Sequence, residues 1–291
     1  MSASGKERRT YDGTMFEGEP MFTVIAERIN MSRKEINAQV RKRNGAFIAG
    51  EARKQTEAGA THIDINAGGN PATEIEDMKW LVETVSKATE LPICFDSPSA
   101  AALKAGLEMC NRPGTIINSI TLEAERVKGV MGLVKEFGTG VVALTMDDGG
   151  MPEDLAGRIR VIDGLAELFG KNGVGLDRVY FDPLVRPAST NPGQAKDVLE
   201  AIRYLKTKHP ETHVALGLSN ISFGLPKRKL LNRTFLAMLI AAGADGAVMD
   251  PLDREMMMAL LAGRAALGLD EYSMEYIMAE RDGRLEAEKK A

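Results

Sequence analysis

Eight short apolar segments alternate with eight longer helical segments along most of this chain, and this alternation constrains the fold more than any other feature. The apolar segments have the length and composition of buried β-strands, and the segments after them show the 3.6-residue periodicity of amphipathic helices. We predict strands at 23–26, 62–65, 92–95, 115–118, 141–145, 179–181, 213–217 and 247–249. We predict helices over 33–58, 73–87, 99–110, 124–137, 153–169, 194–206, 230–242 and 254–266.

Strands that alternate with helices pair in parallel, because a parallel connection needs a crossover of about a dozen residues or more. Eight such units in about 250 residues predict an α/β protein with a single closed (β/α)8 barrel, the TIM-barrel fold. An open, doubly wound sheet is the alternative, but eight even units without a domain-sized insert favour closure. We assign residues 21–291 to the barrel and residues 1–20, which lack periodicity, to an N-terminal arm.

Composition narrows the class of partners. The 291 residues carry a formal net charge of −4, which gives no basic surplus for binding nucleic acid or a membrane surface. No apolar run approaches the roughly 18 residues of a membrane span. The two cysteines, Cys94 and Cys110, are too few for a disulfide framework, so we expect a reducing, cytoplasmic location.

Several predicted strands end on a polar residue, at the end of the barrel (the mouth) where this fold places its active sites. Carboxylates only accept hydrogen bonds, whereas an Asn amide both donates and accepts. Such a mouth suits a flat, nitrogen-rich ligand, and the 2-amino-4-oxo edge of a pterin would match two Asp and one Asn. The residues concerned are Asp64, Asn66, Asp96, Asn118, Asp182 and Asn220.

Some of the polar strand ends have an alternative, purely structural interpretation. Ser97, Ser119 and Asp250 are in positions where they could cap the following helix. Asp64 and Asn66 could order their own loop. Asp96, Asn118 and Asp182 each directly end a short apolar strand, so we expect these three to contact a ligand.

Metal and nucleophile chemistry is not expected at this mouth. The chain has three histidines, and His62, His209 and His213 all fall at or below the start of a predicted strand or in a helix connection. Without a His or Cys at the mouth a zinc site is not expected. No arrangement typical of a Ser–His–acid or Cys–His nucleophile is visible.

A series of short motifs at the strand ends resembles the methyltetrahydrofolate–corrinoid protein methyltransferases of the pterin-binding barrel superfamily. Each motif alone is weak, but together they run in order from the first strand to the eighth. The motifs are IAERIN (25–30), IDINAG (63–68), CFDS (94–97), INS (117–119), ALTMDDGGMP (143–152), FDPL (181–184), LGLSNISFG (216–224) and KLLNRTFLA (229–237).

The resemblance implies roles for individual residues. Asp96, Asn118 and Asp182 would hold the pterin ring. Asn220 would be the catalytic residue, next to N5, the atom that carries or receives the methyl group. Further contacts would come from Gly217, Ser219, Arg228 and Glu27, while the contributions of Asp64, Asn66 and Phe223 are less defined.

The resemblance also implies substrates and partners. These are tetrahydrofolate or 5-methyltetrahydrofolate, a corrinoid carried by a separate protein, and a second copy of the chain in a homodimer, with no metal bound by this chain. Phe223 stands where the corrinoid/iron–sulfur protein methyltransferases have a glutamine. We therefore favour transfer from a methylcorrinoid protein to tetrahydrofolate in a demethylase system, over the reverse transfer in acetyl-CoA synthesis.

Two other functions share the predicted barrel. Dihydropteroate synthase should carry a lysine in the region of the seventh strand, where this chain has Ser219 and Asn220. A non-catalytic pterin-binding subunit is disfavoured by the intact Asn220.

Overall fold

The computed structural model describes residues 10–11, 14–15 and 22–286, and its centre is a closed barrel of eight parallel strands. Each strand pairs with the next one along the chain, and the last pairs with the first. The predicted single (β/α)8 barrel is confirmed. The strands β1 to β8 are Thr23–Asn30, His62–Asn66, Ile93–Asp96, Ile116–Ile120, Gly140–Leu144, Val179–Asp182, His213–Gly217 and Gly246–Met249.

In the described residues, ten α-helices cover the outside of the barrel or extend beyond its last strand. Three short 3-10 turns lie at Leu176–Arg178, Leu218–Ser222 and Glu271–Ser273. The helices α1 to α10 are Lys34–Arg41, Gly45–Glu57, Glu74–Ser86, Ala100–Met109, Ala124–Phe137, Leu155–Lys171, Gln194–Lys208, Arg228–Ala242, Arg254–Ala266 and Met274–Arg281.

One helix prediction was wrong, and one helix was missed. The segment 33–58 forms two helices rather than one, because Arg43 turns the chain with a φ of 51°. Asn44 then starts α2, where its side-chain oxygen accepts the backbone N–H of Phe47 at 3.3 Å. The helix α10, which follows the last predicted helix, was missed because its apolar residues are largely exposed and give little amphipathic pattern.

Side-chain alternation along each strand separates two apolar cores. On β2, Ile63 and Ile65 point outward and join the large core between strands and helices. The opposite face of the strands points into the barrel, where a smaller core contains Ile25, Cys94, Ile116, Val142 and Ala215. The mouth therefore lies above a packed interior, as is usual for this fold.

Strand register places the inward-facing residues at defined levels. Asp64 pairs with Cys94 and Cys94 with Ile116, which form a middle level. Two residues further along the same strands, Asn66 pairs with Asp96 and Asp96 with Asn118. These three belong to what we call the upper level, the last inward-facing position of each strand at the mouth.

The histidines of the strands lie at the lower end of the barrel, as expected. The Nε2 atom of His62 is 3.0 Å from the carbonyl oxygen of Gly114. The ring of His213 stacks on the ring of Tyr180 with 4.7 Å between centroids. These contacts account for both imidazoles within the lower packing of the barrel.

The N-terminal arm is only partly covered by the structure. Thr10–Tyr11 and Thr14–Met15 pair as a short antiparallel ladder. The rest of the predicted arm and residues 287–291 lie outside the described residues, so the boundary at residue 20 stays a prediction. Within the described part of the chain, no helix is long and apolar enough to cross a membrane.

A carboxylate at the lower end joins α7, β7 and the segment before β8. Asp245 accepts the backbone N–H of Val214 at 2.6 Å, contacts Nδ1 of His213 at 2.9 Å, and pairs with Nζ of Lys206 at 3.0 Å. Burial raises the pKa of Asp245, but the hydrogen bond from His213 and the charge of Lys206 outweigh burial, so its pKa lies below the ordinary value.

We expect Asp245→Ala to lower the free energy of unfolding by about 2–4 kcal/mol at pH 7, because it leaves a partly buried lysine without its partner. A carboxyl whose pKa is lowered by folding stabilises the protein above about pH 4, and this contribution is lost as the pH falls further. Urea unfolding at pH 7 and pH 3.5 should therefore show a smaller difference between variant and wild type at the lower pH. An unchanged difference would contradict this assignment.

Candidate active site

Three neighbouring strands bring polar side chains together at the upper level. The Nδ2 atom of Asn66 donates to Oδ2 of Asp96 at 2.8 Å, and its Oδ1 accepts the backbone N–H of Gly68 at 2.9 Å. Asn66 thus orders its own loop and also fixes one oxygen of Asp96. Asn118 pairs with Asp96 on the other side. Of the six polar residues that we expected to gather at the mouth, Asn66, Asp96 and Asn118 are thus neighbours in the strand register.

Asp182 lies at the end of β6 and is held by two backbone donors. Its Oδ1 accepts the N–H of Leu184 at 2.7 Å, and its Oδ2 accepts the N–H of Gly217 at 3.3 Å. Burial raises the pKa of Asp182 to about 6, although both hydrogen bonds act in the opposite direction. The carboxylate is therefore positioned at the mouth but is easier to protonate than a surface Asp.

Gly217 ends β7 beside Asp182 and leaves room at the mouth. A Cβ atom added to Gly217 would meet no atom of the described chain within 4 Å. Its φ of −75° and ψ of 83° do not themselves require glycine. The missing side chain thus keeps the space next to Asp182 open, and a flat ligand could lie there.

Asp64 faces inward one level below the mouth and is almost fully buried, with 2% of its surface exposed. Among the described residues its Oδ1 atom has no hydrogen-bond partner. Burial and the neighbouring charge of Asp96 raise its pKa well above the ordinary value, while hydrogen bonds with Cys94 and Asn118 lower it. Asp64 is therefore a buried acid below the polar cluster, and its carboxyl is easier to protonate than that of a surface Asp.

The end of β1 contributes two charged residues. Glu27 is half-buried and pairs with Arg33 at 3.3 Å, and burial is the main reason why its pKa is raised. Arg28 joins Glu51 at 2.8 Å and Asp250 at 2.9 Å, which ties the first strand to the end of the last. Glu27 thus lies at the rim, while Arg28 links the first strand to the end of the last one.

The helix-capping alternatives were wrong for all three residues, Ser97, Ser119 and Asp250. Ser99, and not Ser97, caps α4 by accepting the N–H of Ala102 at 3.2 Å. The hydroxyl of Ser97 donates instead to the buried carboxylate of Glu74. At the mouth end of β8, Asp253 caps α9. The Asp250 side chain contacts Arg28 and accepts the N–H of Leu252, and no side-chain cap is formed by Ser119 at α5.

Asn220 lies on the 3-10 turn Leu218–Ser222 that follows β7. Its side chain is exposed and makes no hydrogen bond within the described residues. The guanidinium of Arg228 donates to the carbonyl of Ser219 at 2.9 Å and to the hydroxyl of Ser222 at 3.0 Å. Arg228 therefore fixes the backbone of the turn, and the Asn220 amide remains available to bind a ligand.

Arg228 begins α8 at the end of the loop after β7, and it lies near Phe223. The Arg228 guanidinium lies 5.9 Å from the centre of the Phe223 ring. Phe223 itself is 64% exposed at the rim. Two donors of Arg228 are used within its own loop, so the structure gives it a role in fixing the turn that carries Ser219 and Asn220.

Sequence reasoning missed two arginines that hold the loops at the mouth. Arg126 on α5 donates to three backbone carbonyls, two in the loop after β3 and one near the end of β4. Arg158 on α6 is fully buried and donates to the carbonyls of Pro183 and Leu184, directly after Asp182. Both arginines occupy positions on the apolar stripe of their helix, and a cation at such a position is a signal that could have identified them.

The arrangement can recognise a ligand edge that carries several N–H groups. Carboxylates on β3 and β6 accept such bonds, and the amide of Asn118 between them can donate or accept. In the described part of the chain, no group of three or more His, Cys, Asp or Glu side chains is placed to hold a metal ion.

Comparison with known proteins points in the same direction as the geometry. A family model described as "Pterin binding enzyme" matches residues 26–250. The methylcorrinoid:tetrahydrofolate methyltransferase of Eubacterium limosum is 35% identical over 264 residues, which cover 90% of this chain and 97% of that protein. A methionine synthase of Mycobacterium tuberculosis is 34% identical over 209 residues, which cover 68% of this chain but only 17% of that longer protein.

Solved structures agree with the architecture. Yersinia pestis DHPS with a pterine-sulfa conjugate superposes with a TM-score of 0.64 at 18% identity and covers 90% of this chain and 100% of that one. A second Y. pestis dihydropteroate synthase structure, with a sulfonamide drug complex, gives the same TM-score at 16% identity. At such identities the similarity establishes the fold.

We expect Asp64→Asn to be better tolerated as the pH rises. A carboxyl whose pKa is raised by folding contributes most to stability below about pH 4, and that contribution is lost as the pH rises towards the raised pKa. The amide does not titrate, so the stability of the variant relative to wild type should increase between pH 5 and pH 8, as measured by urea unfolding. Asp148→Asn, at an exposed position on the same rim, should show no such trend.

Proposed function

Because the chain belongs to the pterin-binding enzyme family, we propose that it is a methyltransferase that moves a methyl group between a protein-bound corrinoid and N5 of tetrahydrofolate. The observation that carries the proposal is the 35% identity, over 90% of the chain, with the methylcorrinoid:tetrahydrofolate methyltransferase. The name of that relative supports the direction from methylcorrinoid to tetrahydrofolate. Transfer in the reverse direction is the alternative.

The upper level of the barrel supports the binding of a pterin ring. Asp96 and Asp182 would accept the amino and ring N–H groups of the 2-amino-4-oxo edge, and Asn118 would bond a ring nitrogen or the carbonyl. The hydrogen bonds that Asn66, Leu184 and Gly217 already make to the two carboxylates hold their acceptor oxygens in place. The open space beside Gly217 lets the ring lie flat between the strands.

Asn220 is suited to the reacting nitrogen because its side chain is exposed and uncommitted. When N5 is a secondary amine, the Asn220 oxygen can accept its N–H and direct the lone pair towards the incoming methyl group. The amide cannot titrate, so it can bond N5 before and after the proton leaves for solvent. The corrinoid supplies the methyl group and keeps the electron pair of the broken bond, so this chain needs no nucleophile of its own.

A partner protein must bring the corrinoid to the mouth. The exposed rim residue Phe223, next to Asn220, supports this part of the proposal. No metal is assigned to this chain in the reaction. A homodimer and a cytoplasmic location remain predictions.

The direct test follows the cobalt spectrum after methylcobalamin is mixed with tetrahydrofolate and the purified protein. We expect loss of the methylcobalamin absorbance and formation of 5-methyltetrahydrofolate. Asn220→Ala should lower kcat about 100-fold, the cost of removing one donor or acceptor from a transition state, with a smaller effect on folate affinity. Asn111→Ala, which removes an exposed amide at the lower end, should leave both unchanged.

Three outcomes would contradict the proposal or part of it. No spectral change in either direction, with a corrinoid protein as well as with free methylcobalamin, would exclude methyl transfer. Release of pyrophosphate from a pterin pyrophosphate and p-aminobenzoate would instead identify a dihydropteroate synthase. Equal kcat for Asn220→Ala and wild type would remove Asn220 from the reaction.

We expect tetrahydrofolate binding to weaken in mild acid, because the ligand's N–H donors need ionised carboxylates. The pKa of Asp182 is about 6, and the pKa of Asp96 is also raised, mainly by burial. The fraction of protein with both carboxylates ionised therefore falls as the pH drops below about 6. The apparent Kd should be constant near pH 7.5 and then rise, by up to about tenfold per pH unit for one group. Calorimetric titration from pH 7.5 to 5 would measure this.

The matched variants separate Asp182 from other groups. Asp182→Asn should bind more weakly at pH 7.5 and show a shallower dependence on pH. Asp148→Asn should follow the wild-type curve. A wild-type affinity that does not change down to pH 5 would contradict the assignment of an ionised Asp182 to the ligand.

A further inference from the structure

Arg126 makes three hydrogen bonds to backbone carbonyls at the mouth. Its Nε donates to Ser119 at 2.7 Å, its Nη1 to Pro98 at 2.6 Å, and its Nη2 to Ser97 at 2.8 Å. The guanidinium reaches these groups from α5 and is half-buried. One side chain thus connects the loop after β3 to the end of β4.

The carbonyls that Arg126 holds lie directly after two residues of the pterin site. Ser97 follows Asp96, and Ser119 follows Asn118. The backbone N–H of Ser97 also donates to the carbonyl of Asn118 at 3.1 Å, which extends the ladder between the two strands by one bond. The planar guanidinium has donors at fixed angles, so it sets the distance between the two strand ends.

Arg126 is also the positive charge near Asp96. The other titratable groups that act on Asp96 or are affected by it are Asp64, Glu74 and Cys94. Burial raises the pKa of Asp96, and the hydrogen bond from Asn66 and the charge of Arg126 lower it. Burial in turn lowers the pKa of Arg126, and Asp96 and Glu123 oppose this change.

We propose that Arg126 is a positioning residue for the folate substrate, which sets the spacing of Asp96 and Asn118 and supplies the positive charge that offsets the surrounding carboxyls. The inference rests on the proposed function, since it takes Asp96 and Asn118 as ligands of the pterin. It assigns to a helix residue outside the binding surface a measurable share of substrate affinity.

Arg112 at the opposite end of the barrel provides a matched control. It also donates to three backbone carbonyls, those of Thr89 at 2.6 Å, Leu91 at 3.1 Å and Ser86 at 2.8 Å. It is half-buried, like Arg126, and it fixes the segment that leads into β3 from below. Loss of Arg112 should therefore cost similar stability without reaching the mouth.

The experiment compares Arg126→Gln, Arg126→Lys and Arg112→Gln with wild type. Tetrahydrofolate affinity is measured by calorimetry from pH 5 to pH 8, and stability by urea unfolding. We expect Arg126→Gln to weaken affinity at pH 7.5 about tenfold or more. It should also shift the acid limb, the loss of affinity as the pH falls, to higher pH, because Asp96 loses a positive neighbour.

Arg126→Lys separates positioning from charge. A single ammonium cannot reproduce three donors at fixed angles, so affinity at pH 7.5 should stay reduced. Its charge should return the acid limb towards the wild-type position. Arg112→Gln should keep wild-type affinity and pH dependence, whatever stability it loses.

Two results would overturn the inference while leaving the proposed function intact. In the first, wild type binds tetrahydrofolate, and Arg126→Gln binds it equally well with the same acid limb. In the second, Arg112→Gln weakens binding as much as Arg126→Gln does. If Arg126→Gln does not fold, full affinity in Arg126→Lys would overturn the positioning role. Failure of wild type to bind tetrahydrofolate would count against the proposed function itself.

Discussion

The register of the parallel strands is the constraint on which the rest of the molecule depends. In a closed barrel, neighbouring strands fix each other's height, so the last inward-facing residues form one level. Asn66, Asp96 and Asn118 pair in sequence across three strands for this reason. A shift of one residue would turn these side chains outward into the apolar core. Polar chemistry at the mouth and apolar packing on the helices are thus two results of one register.

Guanidinium groups carry this order from the strands into the loops. Arg126, Arg158 and Arg228 each come from a helix and donate to backbone carbonyls next to a residue of the candidate site. Loop carbonyls near the mouth have no strand partner, and a planar donor can satisfy two or three of them at once. The site is therefore supported by long-range contacts as well as by its own residues, as positioning within fractions of an ångström requires.

The sequence predicted the barrel and most of the mouth because both depend on short-range patterns. Strand–helix alternation gave all eight units, and each polar strand end could be read beside its apolar run. The break at Arg43 and the helix α10 were missed, since a single left-handed residue and an exposed apolar helix leave little periodic signal. The support by Arg126 and Arg158 was missed because most of these hydrogen bonds join residues about 25 or more positions apart.

The way the turn Leu218–Ser222 is held has a consequence for encounters between large molecules. Arg228 fixes the backbone of the turn, while the amide of Asn220 stays exposed. A flexible loop would lose conformational entropy each time a partner and substrate met there, and binding would weaken by that amount. With the turn ordered beforehand, only the Asn220 side chain has to settle. Short-lived complexes can then be productive, as the proposed transfer from a partner protein requires.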